Sequence, residues 1–166
     1  MMQYLRNAVR DWKDDGQVKD QLVRILNREL GDGTGLIYGM GHAVYTLSDP
    51  RAEILKQFSR HLAEKRGMVD QLDFIESVER LAPQVFQEVR GIDKPICANV
   101  DLYSGFVYRL LGIPTDLYTA IFASARMAGW CAHRMEECCS DDPRIIRPAY
   151  KTICKRGAYV PLADRS

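Results

Sequence analysis

Two side chains in the first third of the sequence combine residue types that suit carbonyl chemistry. His42 ends a glycine-rich stretch and lies nine residues before Arg51. An imidazole beside accessible backbone and a guanidinium can hydrogen-bond to a carbonyl group and polarise it, and glycines let a ligand approach the main chain. A loop histidine that only caps a turn fits the same pattern, and the residues alone favour that second interpretation.

Further along the chain, an aspartate and two arginines are candidates for a base and for anion binding. Asp101 follows Asn99 by two residues in the first turn of a predicted helix, where the helix dipole by itself stabilises a carboxylate. Carboxylates act as general bases when apolar neighbours raise their pKa. Arg126 is the only formally charged side chain in residues 117–132, so it needs an anion: a protein carboxylate, which the residues alone favour, or a ligand carboxylate or phosphate. Arg147 lies in a polar tail, where an exposed arginine is ordinary.

The elements that must position these groups are helices, because helical periodicity dominates the sequence. We predict an all-α, multihelical fold with an extended C-terminal tail, divided into a helical region at 1–137 and a tail at 138–166. The predicted helical segments are 3–28 with a break near Gly16, 50–66, 68–89 with a kink at Pro83, a short helix between Asn99 and Gly112, and 117–132. The last of these is apolar nearly all round, which predicts that it runs through the middle of the fold.

Five glycines fall within residues 31–41, a density that forbids a regular helix and lets the backbone come close to another group. Their spacing does not match Gly-x-Gly-x-x-Gly, and no strand–turn–helix pattern surrounds them. A dinucleotide site of that kind is therefore disfavoured.

Composition narrows the classes of protein further. The 166 residues are 46% hydrophobic and 27% charged, with a formal net charge of +1, which leaves no overall field for nucleic acid or an acidic membrane surface. The longest apolar stretch is too short to span a membrane. Charges near the N-terminus argue against a signal peptide, so we expect a cytosolic protein.

The five cysteines are an odd number without a Cys-x-x-Cys pair, which predicts reduced thiols and no metal site. A site formed by Cys131, His133 and the Cys138-Cys139 pair is conceivable, but residues two apart on a helix face away from each other. Neither His61 nor His133 is assigned a role.

Several motifs, in order and with consistent spacing, resemble the C-terminal part of citrate synthase. The segments that support this resemblance are Gly39-Met40-Gly41-His42-Ala43-Val44-Tyr45, Asp49-Pro50-Arg51-Ala52, Asn99-Val100-Asp101-Leu102-Tyr103-Ser104-Gly105, Gly112-Ile113-Pro114, Phe122-Ala123-x-Ala125-Arg126-x-Ala128-Gly129-Trp130 and Arg147-Pro148. The resemblance covers residues 36–148, and the fold that it implies is the small domain with the C-terminal tail.

The resemblance implies condensation of acetyl-CoA with oxaloacetate to give citrate and CoA, with acetyl-CoA as co-substrate and no permanently bound cofactor. His42 would polarise the oxaloacetate carbonyl, and Asp101 would take a proton from the acetyl methyl group. Arg51 and Arg126 match arginines that bind oxaloacetate carboxylates, while Arg147 resembles one supplied to a neighbouring subunit in the family's homodimer. The backbone of the loop would contact the CoA adenine, through Leu36, Ile37, Tyr38, Gly39, Met40 and Gly41.

The sequence departs from the family pattern in two ways. The family's large-domain histidine, which hydrogen-bonds the acetyl carbonyl as the enol forms, has no counterpart here, because the three histidines are at 42, 61 and 133. Ala43 stands where many bacterial relatives have an arginine that contacts CoA phosphate. We therefore expect the isolated chain to be inactive or nearly so. The alternatives are a 2-methylcitrate synthase that uses propionyl-CoA and a non-catalytic module that binds CoA or a partner.

Overall fold

The computed structural model describes residues 1–139, 157–158 and 160–164, and in those residues the secondary structure is helical, with no strand. The helices of this part of the chain are α1 (Met2–Ala8), α2 (Asp15–Leu26), α3 (Pro50–Arg66), α4 (Val69–Arg90), α5 (Val100–Leu110) and α6 (Tyr118–Cys138). The predicted all-α class is confirmed. Most of the predicted tail, including Arg147 and Cys154, lies outside the described residues.

Capping residues in the sequence set the ends of α3, the helix that begins just before Arg51. The side chain of Asp49 accepts a hydrogen bond from the backbone N–H of Arg51, and Pro50 occupies the first turn, where its missing N–H costs nothing. Gly67 ends the helix with φ +64°, a left-handed conformation that glycine adopts without a steric penalty. The predicted helix at 50–66 is confirmed.

The sequence predicted a break between the first two helices near Gly16. In the structure the break lies earlier, at residues 9–14. The Oδ1 atom of Asp14 accepts hydrogen bonds from the backbone N–H groups of Gly16 at 2.9 Å and Gln17 at 3.2 Å. These bonds satisfy donors that a helix start otherwise leaves unpaired. Gly16 therefore belongs to the first turn of α2.

Helix α4 runs uninterrupted through Pro83 and contributes to two hydrophobic clusters. The first cluster packs α4 against α1 and α2, with Leu5, Leu22 and Phe74 fully buried. The second packs it against α3 and α5, with Leu72 and Tyr103 fully buried. Because burying one large apolar side chain contributes roughly 1.5–3 kcal/mol, the second cluster fixes α3 and α5 relative to each other.

A polar network reinforces the second cluster. The hydroxyl of Tyr103 in α5 donates to Glu79 Oε2 of α4 at 2.5 Å, and Lys56 Nζ of α3 donates to the same oxygen at 2.6 Å. Burial and the neighbouring carboxylate raise the pKa of Tyr103 well above its ordinary value, so the phenol remains a donor. One carboxylate oxygen thus links three helices.

The prediction that the apolar helix passes through the middle of the fold is wrong for this structure. The chain forms two compact units, Met1–Arg126 and Met127–Ser166, and α6 begins in the first and continues into the second. No residue of α6 is buried. An apolar surface is buried only where another surface packs on it, and every residue of α6 keeps part of its surface accessible. In addition, no helix in these residues is long and apolar enough for a membrane span.

Candidate active site

The glycine-rich loop packs directly against the first turn of α5. The backbone N–H of Asn99 donates to the Gly39 carbonyl, and that of Gly41 donates to the Cys97 carbonyl, each at 2.8 Å. A Cβ on Gly39 would lie 2.8 Å from Leu102 Cα, and Gly39 itself has φ +88°. Only glycine fits this close approach without displacing α5. The contact brings the loop that ends at His42 beside the helix that begins next to Asp101.

The side chain of Asn99 joins the same two elements. Its Oδ1 accepts the backbone N–H of Asp101 at 2.9 Å, which caps α5. Its Nδ2 donates to the carbonyl of Gly41 at 2.8 Å. Since Gly41 immediately precedes His42, one amide group ties the positions of the imidazole and the carboxylate to each other.

The hydrogen bonds of the His42 ring determine which nitrogen has the proton. Nδ1 accepts the backbone N–H groups of Val44 at 3.0 Å and Tyr45 at 3.1 Å. A ring nitrogen that accepts hydrogen bonds is unprotonated, so these contacts assign the proton to Nε2. His42 is therefore a hydrogen-bond donor through Nε2, as carbonyl polarisation requires.

Arg51 is fixed beside this donor by the carboxylate of Asp49. Arg51 Nε donates to Asp49 Oδ1 at 3.0 Å, and Nη2 donates to Oδ2 at 2.8 Å. The Asp49 side chain is fully buried, whereas that of Arg51 is 41% exposed. The hydrogen bonds between the two side chains lower the pKa of Asp49 and raise the pKa of Arg51. The pair therefore stays ionised near neutral pH.

Arg51 Nη2 lies 3.1 Å from His42 Nε2. With the proton on Nε2, both nitrogens are donors, and two donors cannot hydrogen-bond to each other. An acceptor oxygen placed against both would accept from each of them. The arrangement is thus suited to a carbonyl or carboxylate oxygen.

An open cavity of about 390 Å³ contains most of the residues that the sequence predicted for the site. Its lining includes Leu36, Ile37, Tyr38, Gly39, Met40, Gly41, His42 and Asp101. Asp101 is exposed, so the described residues supply no apolar enclosure around its carboxylate. Lys94, which the sequence reasoning missed, also lines this cavity. Its position shortly before the Asn99 cap is the signal that could have identified it.

An aspartate turn orders the start of the loop. Asp32 accepts hydrogen bonds from the hydroxyl of Thr34 at 2.6 Å and that of Tyr38 at 2.7 Å. These two hydroxyls, with the backbone N–H of Thr34, lower the pKa of Asp32 to about 2. The Tyr38 ring is held at the cavity as a result.

Arg126 is not the buried cation that the sequence predicted. Its side chain is exposed, and its guanidinium lies 5.5 Å from the centre of the Phe122 ring, one turn away in α6. Exposure removes the electrostatic need for a carboxylate partner, because water solvates the charge. The structure therefore joins His42 and Arg51 but provides no direct contact from Arg126 to either. Arg147 lies outside the described residues.

The cysteines of the described chain are free thiols: Cys97, partly buried, and the exposed Cys131, Cys138 and Cys139. Within the described residues, no group of three or more His, Cys, Asp or Glu side chains is arranged to bind a metal ion.

Comparison with known proteins places this arrangement in a family. The family described as "Citrate synthase, C-terminal domain" matches residues 2–149. Citrate synthase from Deinococcus radiodurans is 39% identical over 135 residues, which are 81% of this chain and 34% of that protein. 2-Methylcitrate synthase from Shewanella oneidensis is 35% identical over 159 residues, 95% of this chain and 38% of that protein. The chain thus spans about a third of the length of these relatives.

Solved structures agree with the sequence comparison. The citrate synthase of Thermoplasma acidophilum, determined as a ternary complex with carboxymethyl coenzyme A and oxaloacetate, matches with a TM-score of 0.65 and 29% identity over 99% of this chain and 41% of that one. Citrate synthase from Thermotoga maritima matches with a TM-score of 0.62 and 28% identity over 98% of this chain and 41% of that one. From the family match, the relatives and the shared fold, the chain belongs to the citrate synthase family and corresponds to its C-terminal domain.

Proposed function

We propose that this chain provides the oxaloacetate-binding and base-bearing part of a citrate synthase, which condenses acetyl-CoA with oxaloacetate to give citrate and CoA. The observation on which the proposal depends is the convergence of His42 Nε2 and Arg51 Nη2, 3.1 Å apart. Asp101 and the glycine-rich loop line the same cavity. These are the groups that a condensation of a keto acid with an enolised thioester requires.

Each side chain has a distinct role in this proposal. His42 donates from Nε2 to the oxaloacetate carbonyl oxygen, which makes the carbonyl carbon more electrophilic and stabilises the alkoxide that forms. Asp101 takes a proton from the acetyl methyl group, so that the enol or enolate attacks that carbon. Arg51 and Arg126 bind the carboxylates of oxaloacetate. Arg147 contributes a third arginine to the site of the neighbouring subunit in a homodimer. Because Arg126 is exposed and unpaired with His42 here, its role depends on a surface that covers α6.

The loop at 36–41 supplies backbone contacts for the adenine of CoA in this proposal. Ile37 is buried in the first hydrophobic cluster, while Leu36 and Tyr38 are exposed. This alternation anchors the loop and leaves a surface on which a flat heterocycle can lie. Lys94, in the wall of the same cavity, is a cation suited to a phosphate group of the co-substrate.

The isolated chain is expected to bind these ligands without efficient turnover. The family's large-domain histidine has no counterpart in the sequence. None of the side chains named above therefore donates a hydrogen bond to the developing enolate of acetyl-CoA. Loss of one such donor typically lowers the rate by about 100- to 1000-fold. Since the chain spans about a third of its relatives' length, the activity of the whole enzyme needs groups that this chain does not supply.

Two measurements on the purified chain test this proposal. Calorimetry with oxaloacetate and with CoA should detect binding, and a CoA-thiol release assay with acetyl-CoA and oxaloacetate should detect little or no turnover. The variant H42A should abolish oxaloacetate binding and leave CoA binding in place. Binding of neither ligand would refute the assigned site, and turnover like that of a full-length enzyme would refute the expected inactivity.

A 2-methylcitrate synthase is the second candidate, since the relative from Shewanella oneidensis aligns over 95% of this chain. The two reactions share every role assigned above and differ in the acyl group of the CoA ester. Comparing acetyl-CoA with propionyl-CoA in an active enzyme that contains this domain would distinguish them. A non-catalytic module is the third candidate, and CoA binding without oxaloacetate binding would favour it.

A further inference from the structure

Asp49 makes more hydrogen bonds than capping a helix requires. The cap needs one oxygen, and Asp49 Oδ1 provides it by accepting the backbone N–H of Arg51 at 3.0 Å. The same oxygen also accepts Arg51 Nε, and the second oxygen accepts Nη2. Serine, threonine or asparagine would cap the helix equally well. The second oxygen serves the guanidinium, and the full charge acts on the guanidinium in addition to the helix N-terminus.

The geometry of the pair leaves the ligand-facing edge of Arg51 free. A guanidinium has five N–H groups, and Asp49 takes the Nε proton and one Nη2 proton, along one side. The other Nη2 proton and both Nη1 protons remain, at the end of the group. This end lies beside His42 Nε2, so the carboxylate that fixes Arg51 does not compete for the edge that a ligand would use.

We propose that Asp49 is a positioning residue for keto-dicarboxylate binding, because its buried carboxylate fixes the Arg51 guanidinium with its free end beside the Nε2 donor of His42. This inference rests on the proposed function, since the keto-dicarboxylate is oxaloacetate. Asp49 itself is fully buried and does not reach the ligand. Its effect on binding passes through Arg51.

A second restraint acts on the same pair from another direction. The Tyr45 ring centre lies 5.8 Å from the Arg51 guanidinium carbon and 4.8 Å from the His42 ring centre. The guanidinium of Arg51 is attracted to the face of the Tyr45 ring. Tyr45 thus helps to keep Arg51 near the site, so removal of Asp49 alone should release the orientation of the guanidinium without removing it from the site.

The binding test compares D49N and D49S with the wild-type chain by calorimetry. Both variants retain a capping side chain, but neither presents a carboxylate to Arg51. We expect at least a tenfold weaker affinity for oxaloacetate and an unchanged affinity for CoA. D14N is the matched control, because Asp14 caps α2 in the same way and is not part of the site. It should change neither affinity. Circular dichroism identifies the variants that are folded, and D49S serves if D49N is not.

A spectroscopic test reports on Arg51 without any ligand. In the wild-type chain, nitrogen-15 NMR should detect a slowly exchanging Arg51 Nε–H, assigned by its loss in R51K. In D49N or D49S this signal should exchange as rapidly as that of a free arginine. Oxaloacetate affinity within twofold of wild type in a folded Asp49 variant would overturn the inference, as would an unchanged Nε–H signal.

The two tests separate this inference from the proposed function. If the wild-type chain binds no oxaloacetate, the proposed function fails, and the NMR result alone then decides whether Asp49 fixes Arg51. If the wild type binds and the Asp49 variants bind equally well, the proposed function stands and the inference fails.

Discussion

The side-chain nitrogen Nδ2 of Asn99 lies 2.8 Å from the carbonyl oxygen of Gly41, and this hydrogen bond connects the two halves of the candidate site. On one side is the loop that ends at His42, and on the other is the helix start that contains Asp101. In the proposed function, the relative position of His42 and Asp101 matters because both must reach one pair of ligands. Two side-chain hydrogen bonds of one residue contribute to that position.

We predict that N99S loses the bond to Gly41 and retains the cap of α5, because a serine hydroxyl caps well but is too short to reach the loop. The expected decrease in the free energy of unfolding is about 1 kcal/mol for the lost hydrogen bond, with about 1 kcal/mol more in N99A, which also loses the cap. Urea denaturation measures both. A variant N99S that is as stable as the wild type would contradict the role of this bond.

Replacing Gly39 with alanine tests the close packing of the loop on α5. The added Cβ would lie 2.8 Å from Leu102 Cα and would also occupy a backbone conformation with φ +88°. We expect G39A to lose roughly 2–4 kcal/mol, the sum of overpacking and backbone strain. The matched control is G33A, with φ +73° and nothing within 4 Å, which should lose only about 1–2 kcal/mol of strain. Equal losses in chemical denaturation would show that the Leu102 contact is unimportant.

The hydroxyl of Tyr103 provides a test of the network that fixes α5. In Y103F, Glu79 retains Lys56 as a partner, so the partly buried carboxylate is not left alone. We therefore expect a moderate loss of about 1–2 kcal/mol in the free energy of unfolding. Y108F is the comparison, since the ring of Tyr108 packs on Tyr118 and should retain that contact without its hydroxyl. If Y103F were no less stable than Y108F, the bond to Glu79 would contribute nothing.

The lowered pKa of Asp49 predicts a particular dependence of stability on acid. Its hydrogen bond from Arg51 lowers the folded-state pKa, whereas the unfolded chain has an ordinary value of about 3.9. The resulting stabilisation is fully present above about pH 4 and is lost as the pH falls through the folded-state pKa. D49N lacks it at every pH. The difference in unfolding free energy between the two proteins should therefore be largest near neutral pH and shrink in acid. Urea denaturation along a pH series measures it, and a constant difference would contradict the ionised pair.

Local signals in the sequence predicted most of the helices, and they identified the individual residues that are candidates for the site. Asp49, Pro50 and Gly67 predict the two ends of α3 because capping depends on neighbours along the chain. The break before α2 was misplaced, since Gly16 looks like a helix breaker and the sequence does not reveal that Asp14 satisfies its N–H group. His42, Arg51 and Asp101 were identified by residue type, spacing and resemblance.

The sequence by itself determined the helical class, the family and the residues that can do chemistry. The tertiary structure decided which of them meet. It brought the loop against α5 through Gly39 and Asn99, assigned the His42 proton to Nε2, and paired the Asp49 carboxylate with the Arg51 guanidinium. It also left Arg126 exposed, although the apolar pattern of α6 predicted burial. The physical reason is that a side-chain pattern records which surface avoids water, whereas burial, tautomer and ion pairing depend on which other atoms pack against that surface.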